Sequence, residues 1–206
     1  MGRATRPTGA ARFGEPRLQV VTVTIRTPGA ARADDREALV AAVASATGAE
    51  PVAVRAGRVC PHCAETDHGR PWASAAGVAV CVSLSRAPGV VALAVGPSAL
   101  GVDVERVSRV VAAPLDAFTP GELLRADGDP ALLAAAWAAK EAVLKRDGRG
   151  LRVDPLAVDV DVVGGTARFE GVGQPLTVLF PAPDVVLVVA AGGLPVDVVG
   201  TVSGGA

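Results

Sequence analysis

The chain has 206 residues, 50% of them hydrophobic and 3% aromatic, with no Tyr and a formal net charge of −1. That length holds one large domain or two small halves. The balanced charge points to no nucleic-acid surface and the scarce aromatics argue against a base-stacking platform, and no apolar run reaches the ~20 residues that cross a bilayer.

The start, residues 1–16, contains Arg but no apolar stretch after it. We expect a loose tail there rather than a secretory signal, and a second tail at residues 200–206. Three cysteines, an odd number, argue against a disulfide framework and for a reducing cytoplasm.

Leu18 to Ile25 is β-branched and reads as a strand. Asp34 to Ala46 reads as a helix closing at Gly48, with Leu39, Val40 and Val43 facing a core and Arg36 in its first turn. Val52 to Val54 and Arg58 to Cys60 read as short strands, and residues 60–77 as a polar loop. Val78 to Leu84 and Val90 to Val95 form a hairpin, and Leu100 to Glu105 is a further strand. Thr119-Pro120-Gly121-Glu122 is a capping box opening a short helix.

Asp129 caps a longer helix that Gly148 can end. It carries the chain's two lysines, Lys140 and Lys145, among 20 Lys and Arg residues. Lys140 falls within an apolar arc, where it either snorkels or meets an anion from elsewhere. Glu141 and Lys145, four apart, stack on the arc's edge. Beyond it, Leu156 to Val163, Ala167 to Glu170, Leu176 to Phe180 and Val185 to Ala190 alternate with turns, as in an antiparallel sheet. The predicted class is α+β: two similar α/β halves in a pseudo-twofold monomer, residues 17–99 and 100–199.

Asp103 and Glu105, two apart on a strand, share a face. Paired carboxylates repel unless a cation sits between them, and Mg²⁺ suits such a pair with a substrate phosphate. The alternative is a solvated acidic edge.

Gly101 to Val107 (GVDVERV), followed by Trp137 to Lys145 (WAAKEAVLK), resembles the paired signature of the 4′-phosphopantetheinyl transferases. Gly69-Arg70-Pro71, Val82 to Val95 and Gly148 to Leu151 resemble further motifs of that family, and the length resembles its larger, two-halved class, similar to the enzyme that primes surfactin synthetase. The resemblance implies transfer of 4′-phosphopantetheine from coenzyme A to a serine of an acyl or peptidyl carrier protein. It implies Mg²⁺ or Mn²⁺ on Asp103, Glu105 and Glu141, with Asp103 and Lys145 also facing coenzyme A. Glu141, Lys145 and Lys140 would serve catalysis, Lys140 by pairing with acidic groups at the site. Arg36, Arg70 and Ser83 would grip the nucleotide. Leu84 stands where the family commonly has His, and Arg86 is the candidate replacement. Phe118, Leu123, Leu124 and Arg125 would meet the carrier.

Cys60, His62, Cys63 and His68 could hold zinc. A structural site wants four ligands, however, and Cys81 lies in a strand expected to be buried, so a polar loop held by its prolines is preferred. Two other functions compete with the transferase: a metal-dependent nuclease or phosphohydrolase, and a non-catalytic homologue that binds coenzyme A or carrier.

Overall fold

The computed structural model describes residues 18–30, 32–113 and 115–201. The expected tail at residues 1–16 lies outside them, as do residues 202–206. The first unit is β1 (Val21–Arg26), α1 (Arg32–Thr47), β2 (Val54–Val59), β3 (Arg70–Ala75), β4 (Val78–Ala87) and β5 (Val90–Gly96). The second is β6 (Gly101–Arg106), α2 (Val107–Ala112), α3 (Pro120–Ala126), α4 (Pro130–Asp147), β7 (Val158–Asp161), β8 (Thr166–Phe169), β9 (Val172–Pro175), β10 (Thr177–Ala182) and β11 (Val185–Ala190). The strand β12 (Val196–Gly200) returns to the first unit.

Three sheets result, ordered β12-β1-β5-β4-β3-β2, β10-β11-β6 and β7-β8-β9. β12 lies parallel to β1, with Val21 opposite Val196. The other pairings are antiparallel.

Alternation along the strands decides the layering. Val21, Val23 and Ile25 of β1 pack with Ala92 and Ala94 of β5 against Val102 and Val104 of β6 and Leu187 and Val189 of β11. The opposite face of the large sheet, with Val91, Leu93 and Val95, packs on Leu39 and Val43 of α1. The opposite face of the small sheet, with Val186 and Val188, packs on the alanine-rich side of α4. The order is therefore helix, sheet, sheet, helix. β5 and β11 are buried along their whole length, because each has apolar neighbours on both faces.

The two expected short strands between residues 52 and 60 are one strand, β2. The expected loop at residues 60–77 contains β3, whose ladder to β2 and β4 overrides its Pro and Ala content. α2, β9 and β12 were not foreseen. α2 is short and valine-rich, so its helix rests on packing against α4 rather than on propensity.

Candidate functional site

The site is set by how closely α4 lies on β6. Asp129 Oδ1 accepts the Ala131 N–H at 2.7 Å, and Pro130 occupies the first helical position. Gly148, at φ 93°, ends the helix with its N–H on Leu144 O at 3.0 Å. Between these caps, Ala134, Ala135, Ala138, Ala139 and Ala142 are fully buried. Short side chains let the helix backbone approach the sheet. At Gly101 a Cβ would run into the Ala142 carbonyl and lie 2.7 Å from the Arg146 nitrogen. The approach hangs Glu141 and Lys145 over Asp103 and Glu105, and all four line one cavity of about 530 Å³.

Asp103 is 3% exposed. Its Oδ1 accepts from Lys145 Nζ at 2.5 Å and from Ser85 Oγ at 2.6 Å. Its Oδ2 is buried and has no hydrogen-bond partner. Lys145 Nζ also donates to Ser85 Oγ at 3.1 Å and to Val102 O at 3.3 Å. Across the same seam the Val102 N–H donates to Ser83 Oγ at 3.1 Å. The open edge of β6 is thus satisfied by side chains from β4 and α4 instead of a backbone ladder.

Burial, the largest influence, pushes the Glu141 carboxyl above its usual range; Lys145 pulls it back and Asp103 adds to the rise. Glu105 is also pushed up, first by burial and then by Asp103, against the opposing pull of Arg109, a Trp137 hydrogen bond and Lys145. Both shifts are those of carboxylates drawn out of water beside another carboxylate. The three carboxylates share one cavity, but their oxygens do not draw within 4.8 Å of one another; among the described residues Cys60, Cys63 and His68 do. A buried oxygen without a partner, beside two carboxylates held at unfavourable charge, fits a hard divalent cation.

Two further cavities adjoin this one, of about 480 Å³ and about 290 Å³. Arg58 and Leu84 line all three, so they are compartments of one cleft. Arg36 lines the larger neighbour, with its Nε donating to Ala56 O at 2.9 Å. Arg70 and Ser83 line the smaller, together with Lys145. The Ser83 hydroxyl accepts the Val102 N–H. Arg86 shares the acidic compartment with Leu84, but its guanidinium is paired with buried Asp35 at 2.9 Å.

Lys140 is corrected by the geometry. It is fully buried, and the anion it meets is Glu122, at 2.8 Å, not an acid of the cleft. Its ammonium also donates to Pro155 O at 3.0 Å and Val158 O at 2.5 Å. Glu122 is the capping-box residue of α3, with Oε2 accepting the Thr119 N–H and Oε1 the Val160 N–H. Of the expected carrier contacts, Leu123 and Leu124 are exposed, Leu124 at 81%. Phe118 instead packs against the α4 core. Arg125 is held by Asp159 at 2.5 Å and by Val160 O at 2.8 Å.

Ser85, Asp35 and Arg58 were missed. For Ser85 a signal existed: it stands two residues after Ser83 and so faces the same way on β4. Asp35 and Arg58 carry no motif, and only the fold brings them to the cleft.

No curated protein matches the chain. Residues 99–174 match the model of the 4′-phosphopantetheinyl transferase superfamily. The matched segment carries Asp103, Glu105, Glu141 and Lys145, and ties that part of the chain to phosphopantetheinyl transfer in general.

Proposed function

We propose that the protein transfers 4′-phosphopantetheine from coenzyme A to a serine of an acyl or peptidyl carrier protein, releasing 3′,5′-ADP. The observation that carries this reading is the convergence of Asp103, Glu105, Glu141 and Lys145 on one cavity within the matched segment. The cleft lies at the seam between two halves of like plan, arranged about a pseudo-twofold axis in a single cytoplasmic chain. The strand order β1-β5-β4 around α1 supports that symmetry, since β6-β11-β10 repeats it around α4. The halves are residues 17–99 and 100–199, with β12 crossing back.

Asp103, Glu105 and Glu141 are the residues that would hold Mg²⁺ or Mn²⁺. When bound, such an ion neutralises the diphosphate of coenzyme A and the charge that grows on it. Lys145 sets its ammonium beside Asp103, at the mouth between two compartments, where it opposes charge on the departing diphosphate oxygen. Glu141, with its raised pKa, accepts the proton of the attacking serine hydroxyl at its carboxylate. The serine oxygen forms a bond to the phosphorus carrying pantetheine, and the bond from that phosphorus to the bridging oxygen breaks. Arg36, Arg70 and Arg86, with Arg58, line the compartments beside the acids and suit the phosphorylated nucleotide. Leu123 and Leu124 on α3 form an exposed apolar pair that suits a carrier helix.

The test is a mass spectrum of an apo carrier protein incubated with coenzyme A, Mg²⁺ and this protein. The carrier gains the phosphopantetheine mass, and Glu141→Gln slows that gain by about 10²–10⁴-fold. A carrier that stays unmodified under wild-type protein, while coenzyme A still binds, overturns the reading in favour of a binding homologue.

A further inference from the structure

The loop between β2 and β3 folds around two sulfurs and a ring nitrogen. Cys60 follows the last residue of β2, Cys63 comes three positions on, and His68 precedes β3 by two residues. The turn is tight: the Ala64 N–H donates to Cys60 O and the Cys60 N–H to Glu65 O, each at 2.9 Å. Cys63 Sγ lies 3.4 Å from His68 Nε2. The donor atoms of all three side chains fall within 4.8 Å of one another, and both cysteines are free thiols.

The three donor atoms are near enough for one ion to reach them all. A tetrahedral zinc with Zn–S of about 2.3 Å and Zn–N of about 2.0–2.1 Å has an S···N edge of about 3.6 Å. The 3.4 Å between Cys63 and His68 is close to that edge. The setting of the imidazole also suits a ligand. His68 Nδ1 stands 2.5 Å from Asp67 Oδ1, the carboxylate partner that metal-binding imidazoles commonly have on their other nitrogen, and Nε2 faces Cys63 Sγ. Two sulfurs and an imidazole are soft donors that select zinc over the hard cations suited to the carboxylates of the cleft.

We propose that Cys60, Cys63 and His68 bind one Zn²⁺, with the fourth position left to water or another oxygen donor. Cys81 is not part of the set, since it packs against the core between the sheets. Three protein ligands with an open fourth position is the coordination of catalytic zinc sites rather than of closed structural ones. The ion joins the end of β2 to the start of β3 and closes the loop between them. His68 lines the acidic compartment of the cleft, and Thr66 and Asp67 line its larger neighbour. The ion therefore fixes one wall of the cleft. The binding itself does not depend on the transferase reading.

The experiment uses untagged full-length protein, kept reduced, purified without chelator and desalted. Elemental analysis should find about one zinc per chain. Cys60→Ser and Cys63→Ser should lose it with the far-ultraviolet circular dichroism unchanged, and Asp67→Ala should weaken retention by about 10–100-fold. Cobalt added to the zinc-stripped wild type should give a thiolate-to-cobalt charge-transfer band, which no carboxylate site produces; this arm needs no variant to fold. Absence of both zinc and the cobalt band overturns the proposal. So does zinc that persists in both serine variants, or a Cys60–Cys63 disulfide formed in place of metal binding.

Discussion

Glu141 is held in a charge state that its surroundings oppose. Burial and the Asp103 carboxylate raise its pKa in the fold, and Lys145 relieves only part of the penalty. A carboxyl whose folded pKa lies above its unfolded value favours the native state most when protonated. Its contribution is fully present below the unfolded value of about 4.3 and is lost as pH rises through the folded one. Glu141→Gln removes the charge while keeping the shape. In EDTA at pH 8 we expect the variant to melt higher than wild type, by about 2–4 °C for each kcal/mol relieved. The gap should close as pH falls toward 4. Thermal melts across that range check it, and a variant that melts lower at pH 8 would show Glu141 to be a structural partner instead of a strained functional one. Gain of stability with loss of transfer is the expected signature of a group kept for chemistry.

Helix α4 carries both kinds of lysine, and the difference between them comes from which face each occupies. Lys145 reaches the cleft, whereas Lys140 is sealed against Glu122 and two carbonyls, tying α4 to α3 and to the start of β7. Lys140→Met leaves the Glu122 carboxylate buried without its cation, a change that typically costs about 3–5 kcal/mol. Chemical denaturation should show that loss, while carrier modification at 15 °C by the folded protein should stay within a few-fold of wild type. A Lys140→Met protein that is stable but inactive would place Lys140 in the reaction after all.

The same helix shows what a sequence can convey. Its caps, its length and the cost of burying a lysine are local matters, and all were legible. So were the capping box of α3 and the shared face of Asp103 and Glu105. Which anion meets Lys140 was not, because Glu122 is 18 positions away and its contact follows from how α3 crosses α4. β3 and α2 were missed for a related reason: Pro, Ala and Ser in one, and valines in the other, take their form from neighbours in space. Asp35 and Arg58 reach the cleft only because β2, β4 and α1 converge there.

At the scale of the molecule, one core lies between the large sheet and the β6-β11-β10 sheet, with β1, β5, β6 and β11 all contributing. Neither sheet can keep its inner face dry without the other, so we expect one cooperative transition on unfolding. β12 is the exception in this arrangement. It pairs with β1 at the sheet edge opposite β2, and four of its five residues are exposed. Its ladder bonds, each worth about 0.5–1.5 kcal/mol net, are largely offset by the order imposed on the strand. Removing residues 196–206 should therefore cost only about 1–2 kcal/mol, or about 2–8 °C in Tm. The cleft draws on β2, β3, β4, β6, α1 and α4, all away from that edge. Carrier modification below the transition should be unchanged, while the uncovered edge of β1 should make the shortened protein self-associate at high concentration. Light scattering and the mass assay separate the two effects. A truncated chain that stays monomeric but loses transfer would mean that the second half holds the cleft together through β12.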